Sequence, residues 1–166
     1  MINKLASYLI DNNITISFAE SCTGGALAST LTKIPGVSKI FKGSFVTYSI
    51  EYKHKYLGVK YKTISNYGVV SKEVALEMVK GLSKKTKSNI CVSVTGNAGP
   101  SKGDPNAPVG KVFVGLIYNN IPNTYELSLD GEREEIINKT VEFIYQKITD
   151  FLNILVVDNN VDIFIP

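Results

Sequence analysis

A serine between a strand pattern and a helix pattern is the first residue in this sequence that could do chemistry. Ser21 lies in the run Ala19-Glu20-Ser21-Cys22-Thr23-Gly24-Gly25. A side chain at a strand-to-helix turn meets unpaired backbone N–H groups and the positive end of a helix dipole. The run therefore indicates an anion-binding turn or a nucleophilic serine beside an oxyanion hole. A plain helix cap with a tight turn is the simpler explanation of the run taken alone.

A nucleophilic serine needs a base, because its hydroxyl is weak at its own pKa. The one histidine, His54, has no carboxylate at a spacing that would predict a Ser-His-Asp triad. The alternative is a lysine held neutral by its surroundings, or a tyrosine that relays a proton. Tyr48 and Lys53 are the candidates, although core tyrosines and solvated lysines are common. Cys22 with His54 as its base is a further, weaker possibility.

The elements that must position these residues alternate between helix and strand patterns. Helices are predicted at 1–12, from 26 to Pro35, at 51–57, from Ser71 to about 87 and from 130 onwards, and strands at 14–18, 45–49, 90–95, 112–118 and 124–129. One helical turn is expected at 63–67. The core candidates of the last helix are Ile136, Val141, Ile144, Ile148, Phe151 and Leu155. This order predicts an α/β fold of three αβα layers with a mixed, mostly parallel sheet.

Residues 1–155 are expected to form a single domain, followed by an apolar tail at 156–166. The tail either pairs as an edge strand or packs on a neighbouring subunit. The segment 96–110 is the longest irregular stretch, and it begins where a buried strand ends. Such a position is where open α/β sheets bind ligands, so the segment predicts a binding loop, with a mobile surface excursion as the alternative.

Composition narrows the classes of function. The 166 residues are 44% hydrophobic and 20% charged, with a net charge of +3. Two cysteines and one histidine argue against a disulfide framework and a structural zinc site. The basic cluster at 84–87 has no interleaved aromatics, so a solvated helix end explains it better than nucleic-acid binding. With no leader and no apolar run of about 20 residues, no membrane partner is expected and the expected location is cytoplasmic.

Several separated motifs, in the same order, resemble one family over roughly residues 1–152. These motifs are the run at 19–25, Pro35-Gly36, Gly43 with Val46-Thr47-Tyr48-Ser49 and Lys53, Leu57-Gly58-Val59, Gly68-Val69-Val70-Ser71, Val94-Thr95-Gly96 with Ala98-Gly99-Pro100, Pro108-Val109-Gly110, and Gly131 with Arg133. On these motifs, the sequence resembles the C-terminal domain of the competence-damage protein CinA, the nicotinamide-nucleotide amidohydrolase family.

The resemblance implies hydrolytic deamidation of nicotinamide mononucleotide to nicotinic acid mononucleotide and ammonia. It implies Ser21 as the nucleophile, Lys53 as the base and Tyr48 as the partner in proton transfer. Substrate contacts are implied for Arg133 with the phosphate, for oxyanion-stabilising N–H groups near the turn, and for loop residues: Thr23, Gly24, Gly25, Gly43, Thr95, Gly96, Ala98 and Gly99. The resemblance implies no metal or organic cofactor, a small nucleotide as substrate and a homo-oligomer.

The sequence departs from the family pattern at five positions: Ile50, Asn97, Lys102, Asp104 and Asn138. Asp104 near a phosphate would repel it, whereas Lys102 would attract it. These departures support a second hypothesis, in which the chain is a nucleotide-binding or regulatory module with impaired catalysis. A third hypothesis keeps the acyl-transfer chemistry and changes the amide substrate.

Overall fold

The computed structural model describes residues 1–153, which contain six α-helices, one short 3-10 helix and five strands. In chain order the elements are α1 (Ile2–Asp11), β1 (Ile16–Glu20), α2 (Ala26–Thr32), the 3-10 helix Val37–Lys39, β2 (Phe41–Val46), α3 (Ile50–Leu57), α4 (Tyr61–Tyr67), α5 (Lys72–Thr86), β3 (Ile90–Gly96), β4 (Lys111–Tyr118), β5 (Ile121–Ser128) and α6 (Arg133–Phe151).

The five strands form one mixed sheet in the order β2-β1-β3-β4-β5. β1 pairs in parallel with β2 and with β3. β4 and β5 add an antiparallel hairpin to β3. The hairpin turns at Asn119 and Asn120, which both have positive φ, as a two-residue primed turn requires. The predicted three-layer α/β fold is therefore confirmed, with a parallel core and an antiparallel edge.

Helices cover both faces of the sheet, because side chains of the buried strands alternate between two apolar clusters. Phe18 and Val92 face the cluster that α1, α2 and α6 complete. Ala19 and Cys91 face the cluster that α3 and α5 complete. Within residues 1–153, no helix combines the length and the apolar composition that a bilayer span needs.

The second strand lies earlier in the chain than the sequence pattern predicted. β2 occupies 41–46 rather than 45–49, because Ser49 caps α3 by accepting a hydrogen bond from the Tyr52 N–H at 3.1 Å. The residues between β2 and α3 therefore form a connection, and this connection carries Tyr48. The segment at 61–67 is also a helix of seven residues rather than a single turn.

The core prediction for the last helix was wrong at Phe151, which is 36% exposed. The buried face follows Ile144, Ile148 and Leu152 at intervals of four residues, which turns Phe151 away from the sheet. Leu155 and the predicted tail at 156–166 lie outside the described residues.

A buried carboxylate fixes the turn between β1 and α2. Glu20 is fully buried, and its Oε2 accepts hydrogen bonds from the Thr23 hydroxyl at 2.8 Å and from the N–H groups of Gly25 and Leu27 at 3.0 Å. Its Oε1 accepts from the Ala28 N–H at 3.1 Å and the Ser44 hydroxyl at 2.9 Å. The carboxylate therefore caps α2 and ties it to β2 at the residue before Ser21.

We expect Glu20→Gln to destabilise the protein by about 2–4 kcal/mol. An amide presents its NH₂ group to donors that the carboxylate now satisfies, so buried N–H groups lose their acceptor. Urea unfolding measures the change. Glu142→Gln, the same substitution on the exposed face of α6, is the control and should stay within about 0.5 kcal/mol of wild type. Equal stability of the two variants would contradict this role for Glu20.

Candidate active site

A cavity of about 310 Å³ opens at the carboxyl ends of β1 and β3. The sheet order reverses here, since β2 lies on one side of β1 and β3 on the other. Crevices at such points are the usual ligand sites of open α/β sheets. The lining residues are Ser21, Cys22, Tyr48, Ser49, Ile50, Lys53, Val69, Val70, Thr95, Gly96, Asn97, Ala98, Ser101, Gly103 and Arg133.

A lysine amine lies against the serine hydroxyl at the base of this cavity. Lys53 Nζ is 2.8 Å from Ser21 Oγ, 2.8 Å from the Thr47 carbonyl and 3.2 Å from the Tyr48 carbonyl. Ser21 directly follows β1 and Lys53 lies in the first turn of α3, so the parallel pairing of β1 with β2 brings them together. Lys53 is only 1% exposed.

Burial lowers the pKa of Lys53 from 10.5 to about 8. Its three neighbouring oxygens include no carboxylate that would hold the ammonium form. A neutral amine has two N–H donors for the two carbonyls and one lone pair for the hydroxyl proton of Ser21. The contacts of Lys53 therefore match those that a neutral amine needs to act as a base toward Ser21.

The alternative pairing of Cys22 with His54 does not fit the structure. Burial raises the pKa of Cys22 to about 12, although Lys53 partly opposes the rise. His54 is exposed, and its Nδ1 lies 2.8 Å from the Val59 carbonyl. Since His54 does not line the cavity, it can serve as a base for neither Cys22 nor Ser21.

Tyr48 contributes to the site through two different groups. Its backbone carbonyl accepts from Lys53, whereas its phenol oxygen accepts from Arg133 Nη2 at 2.9 Å. Arg133, the first residue of α6, also donates through Nη1 to the Gly99 carbonyl at 2.6 Å. The phenol therefore lies at the mouth of the cavity beside a guanidinium, rather than on Ser21 or Lys53 as a direct proton relay would require.

The backbone groups of the turn differ from the predicted arrangement. The Gly24 N–H donates to the Ser21 carbonyl, and the Gly25 N–H and the Thr23 hydroxyl donate to Glu20. The N–H groups of Cys22 and Thr23 make no hydrogen bond to another described residue. Of these two residues, only Cys22 lines the cavity, so its N–H is the donor next to Ser21 that faces a bound ligand.

Seven of the twelve predicted site residues line the cavity, and five lie outside it. The seven are Ser21, Tyr48, Lys53, Thr95, Gly96, Ala98 and Arg133, and the five are Thr23, Gly24, Gly25, Gly43 and Gly99. Gly43 lies in β2 opposite Ser17, and Gly99 faces Arg133 through its carbonyl. Thr23, Gly24 and Gly25 belong to the turn that follows β1.

Sequence reasoning missed Glu20 and the wall that Val69 and Val70 form. An acidic residue in an otherwise apolar strand was the available signal for Glu20. Nothing in the local pattern indicated that the connection before α5 would reach the carboxyl end of β3. The connection is held there by the Thr95 hydroxyl, which donates a hydrogen bond to the Val69 carbonyl at 2.9 Å.

The cavity carries positive charge only. Lys53 and Arg133 line it, and among the residues that the structure describes no Asp or Glu does so. Within the same part of the chain, no group of His, Cys, Asp and Glu side chains is arranged to hold a metal ion. The arrangement favours an anionic ligand with a carbonyl group placed beside Ser21.

Comparison with known proteins identifies the family of this chain. The model of the CinA C-terminal domain matches residues 1–152. A CinA-like protein of Petrotoga mobilis is 46% identical over 148 residues, which cover 89% of this chain and 37% of that relative. The chain spans about a third of the length of the curated relatives it matches.

Solved structures cover nearly the same extent as this chain. The competence/damage inducible protein CihA from Agrobacterium tumefaciens is 35% identical with a TM-score of 0.83, over 91% of this chain and 95% of that one. A CinA superfamily protein from Escherichia coli is 29% identical with a TM-score of 0.86, over 90% and 87% of the two chains. The chain therefore belongs to the CinA C-terminal domain family.

Proposed function

We propose that this chain hydrolyses the carboxamide of nicotinamide mononucleotide to give nicotinic acid mononucleotide and ammonia. The observation that carries the proposal is the contact of 2.8 Å between Lys53 Nζ and Ser21 Oγ in a buried site. A lysine whose pKa is lowered to about 8 can accept the serine proton near neutral pH. The choice of nicotinamide mononucleotide as the substrate rests on the family resemblance.

The first half of the reaction is an acyl transfer to Ser21. Lys53 accepts the hydroxyl proton while Oγ attacks the carboxamide carbon. The oxyanion that forms is stabilised by the N–H group of Cys22, which lines the cavity beside Ser21. Collapse of this intermediate breaks the C–N bond, the Lys53 ammonium protonates the departing amide nitrogen, and ammonia leaves an ester on Ser21.

The second half returns the enzyme to its starting state. Lys53, neutral again, accepts a proton from a water molecule that attacks the ester carbon. The same N–H group stabilises the second oxyanion. Breaking the bond to Ser21 Oγ releases the carboxylic acid product, and the Lys53 ammonium returns a proton to Oγ. One water is consumed and one ammonia is produced, so the protons balance.

The remainder of the cavity supports binding of a nucleotide. Its volume of about 310 Å³ lies at the lower end of the range for small-molecule sites. The guanidinium of Arg133, from the start of α6, contacts the loop after β3 at Gly99, and there it can bind a phosphate through two hydrogen bonds. Tyr48 holds one edge of that guanidinium. By the same resemblance, we place this activity in a cytoplasmic homo-oligomer.

We expect Ser21→Ala to lower kcat for ammonia release from nicotinamide mononucleotide by at least about a thousandfold. The exposed Ser29→Ala on α2 is the matched control and should keep the wild-type rate. Calorimetry on Ser21→Ala should still detect nucleotide binding, since the wall residues are unchanged. Equal turnover by Ser21→Ala and wild type would remove the mechanism, and binding without turnover by wild type would favour the regulatory module.

We expect kcat/KM to rise with pH through a pKa of about 8, because only neutral Lys53 can accept the serine proton. At pH 7 about a tenth of the free enzyme carries the neutral amine. Initial rates from pH 6 to pH 9 measure the profile, and Lys53→Met should abolish turnover. A wild-type profile that is flat across this range would contradict the assignment of Lys53 as the base.

A further inference from the structure

The loop that follows β3 is held together by the side chain of its first residue. Asn97 is 3% exposed, and its Nδ2 donates to the carbonyls of Asp104 at 2.8 Å and Ala107 at 2.9 Å. Its Oδ1 accepts from the N–H groups of Gly103 at 3.0 Å and Asp104 at 3.1 Å. One amide therefore uses its full hydrogen-bonding capacity inside the loop and fixes the backbone of Asp104 on both sides.

The carboxylate of Asp104 is turned away from the loop interior toward the neighbouring wall. Asp104 is 3% exposed, and its Oδ2 accepts from the Val70 N–H at 3.0 Å while its Oδ1 accepts from the Asn106 N–H at 2.9 Å. Gly68 leaves room for it, because a Cβ atom at that position would collide with Oδ2. Within residues 1–153, no Lys or Arg forms an ion pair with Asp104.

This arrangement hides a negative charge directly behind the cavity wall. Val70 and Gly103 line the cavity, and both are hydrogen-bonded to the pair, one to the Asp104 carboxylate and one to Asn97. Asp104 itself does not line the cavity. Where the loop after β3 borders the cavity, the wall therefore carries no charge except that of Arg133 from α6. An acidic residue, Asp104, nevertheless lies within that loop.

We infer that Asn97 determines specificity for an anionic substrate by holding the Asp104 carboxylate out of the cavity. The inference rests on the proposed function for the identity of that substrate. Asn97 acts through Asp104 and is therefore a positioning residue. Without the amide, the backbone around Asp104 loses four hydrogen bonds, and the carboxylate gains access to a cavity where it repels a phosphate.

The kinetic test compares nicotinamide mononucleotide with nicotinamide riboside, which differs only in lacking the phosphate. In Asn97→Leu, the ratio of kcat/KM for the nucleotide to that for the riboside should fall about tenfold, through KM for the nucleotide. Asn138→Leu, the same change at an exposed site on α6, should keep the wild-type ratio. An unchanged ratio in Asn97→Leu would overturn the inference.

Removing the negative charge of Asp104 tests whether the lost preference for the nucleotide can be restored. The double variant Asn97→Leu/Asp104→Asn should recover most of the lost preference for the nucleotide, because the freed side chain is then neutral. A ratio as low as that of Asn97→Leu would show that loosening of the loop, rather than charge, causes the loss. Asp104→Asn alone presents an NH₂ group to one of the two N–H donors that the carboxylate now satisfies. It brings no charge into the cavity, so its ratio should stay within about twofold of wild type. A several-fold rise in its ratio would show that the charge already acts on the cavity.

Hydrogen exchange gives a readout that does not depend on turnover. In Asn97→Leu, the hydrogen-bonded amides of the loop and that of Val70 should lose protection together, while those of β1 keep theirs. The loop amides are those of Gly103, Asp104, Asn106 and Ala107. If wild type does not deamidate the nucleotide but this joint loss is seen, the proposed function fails and the restraint of Asp104 by Asn97 stands. Continued protection of the Val70 amide in Asn97→Leu would overturn the restraint, whatever the activity.

Discussion

The buried contact between the Lys53 amine and the Ser21 hydroxyl is the constraint on which the rest of the site depends. An ammonium group removed from water with only two carbonyls and a hydroxyl around it is poorly stabilised, and burial lowers its pKa to about 8. At pH 7 this costs the folded protein about 3 kcal/mol relative to an exposed lysine. The cost lies in the residue that the proposed reaction needs, a pattern common to active sites that trade stability for function.

A second buried ionisable group, Glu20, positions the serine without sharing its chemistry. Three backbone N–H groups at the start of α2 point at its carboxylate, so the helix N-terminus is occupied by the protein's own anion. An incoming negative charge must therefore lie elsewhere, next to Ser21 on one side or near Arg133 on the other. The positive charges of the cavity and the capping of α2 by Glu20 therefore separate the end of the cavity at Ser21, where the reaction is proposed, from the end at Arg133, where an anion would bind.

The fold followed from the sequence because hydrophobic periodicity and turn residues decide the order of helices and strands. The strand boundaries did not follow, since the pairing of β2 with β1 and the cap of α3 by Ser49 depend on tertiary contacts. The sequence also indicated Ser21, Tyr48 and Lys53 as candidates, but three features of the site could be seen only in the structure. These are the phenol of Tyr48 on Arg133, the occupation of the turn by Glu20, and the burial of Asp104 by Asn97.

The protonation state of Lys53 in the resting protein decides whether Ser21 has a base. Carbon-detected NMR of the lysine Cε resonances across pH 6 to pH 11 would report the pKa of this amine, with Lys53→Met assigning the signal. The account predicts one lysine that titrates near pH 8, well apart from the exposed lysines near their ordinary value of about 10.4. A Lys53 signal that titrates together with the exposed lysines would contradict the claim that the folded chain lowers the pKa of the base beside Ser21.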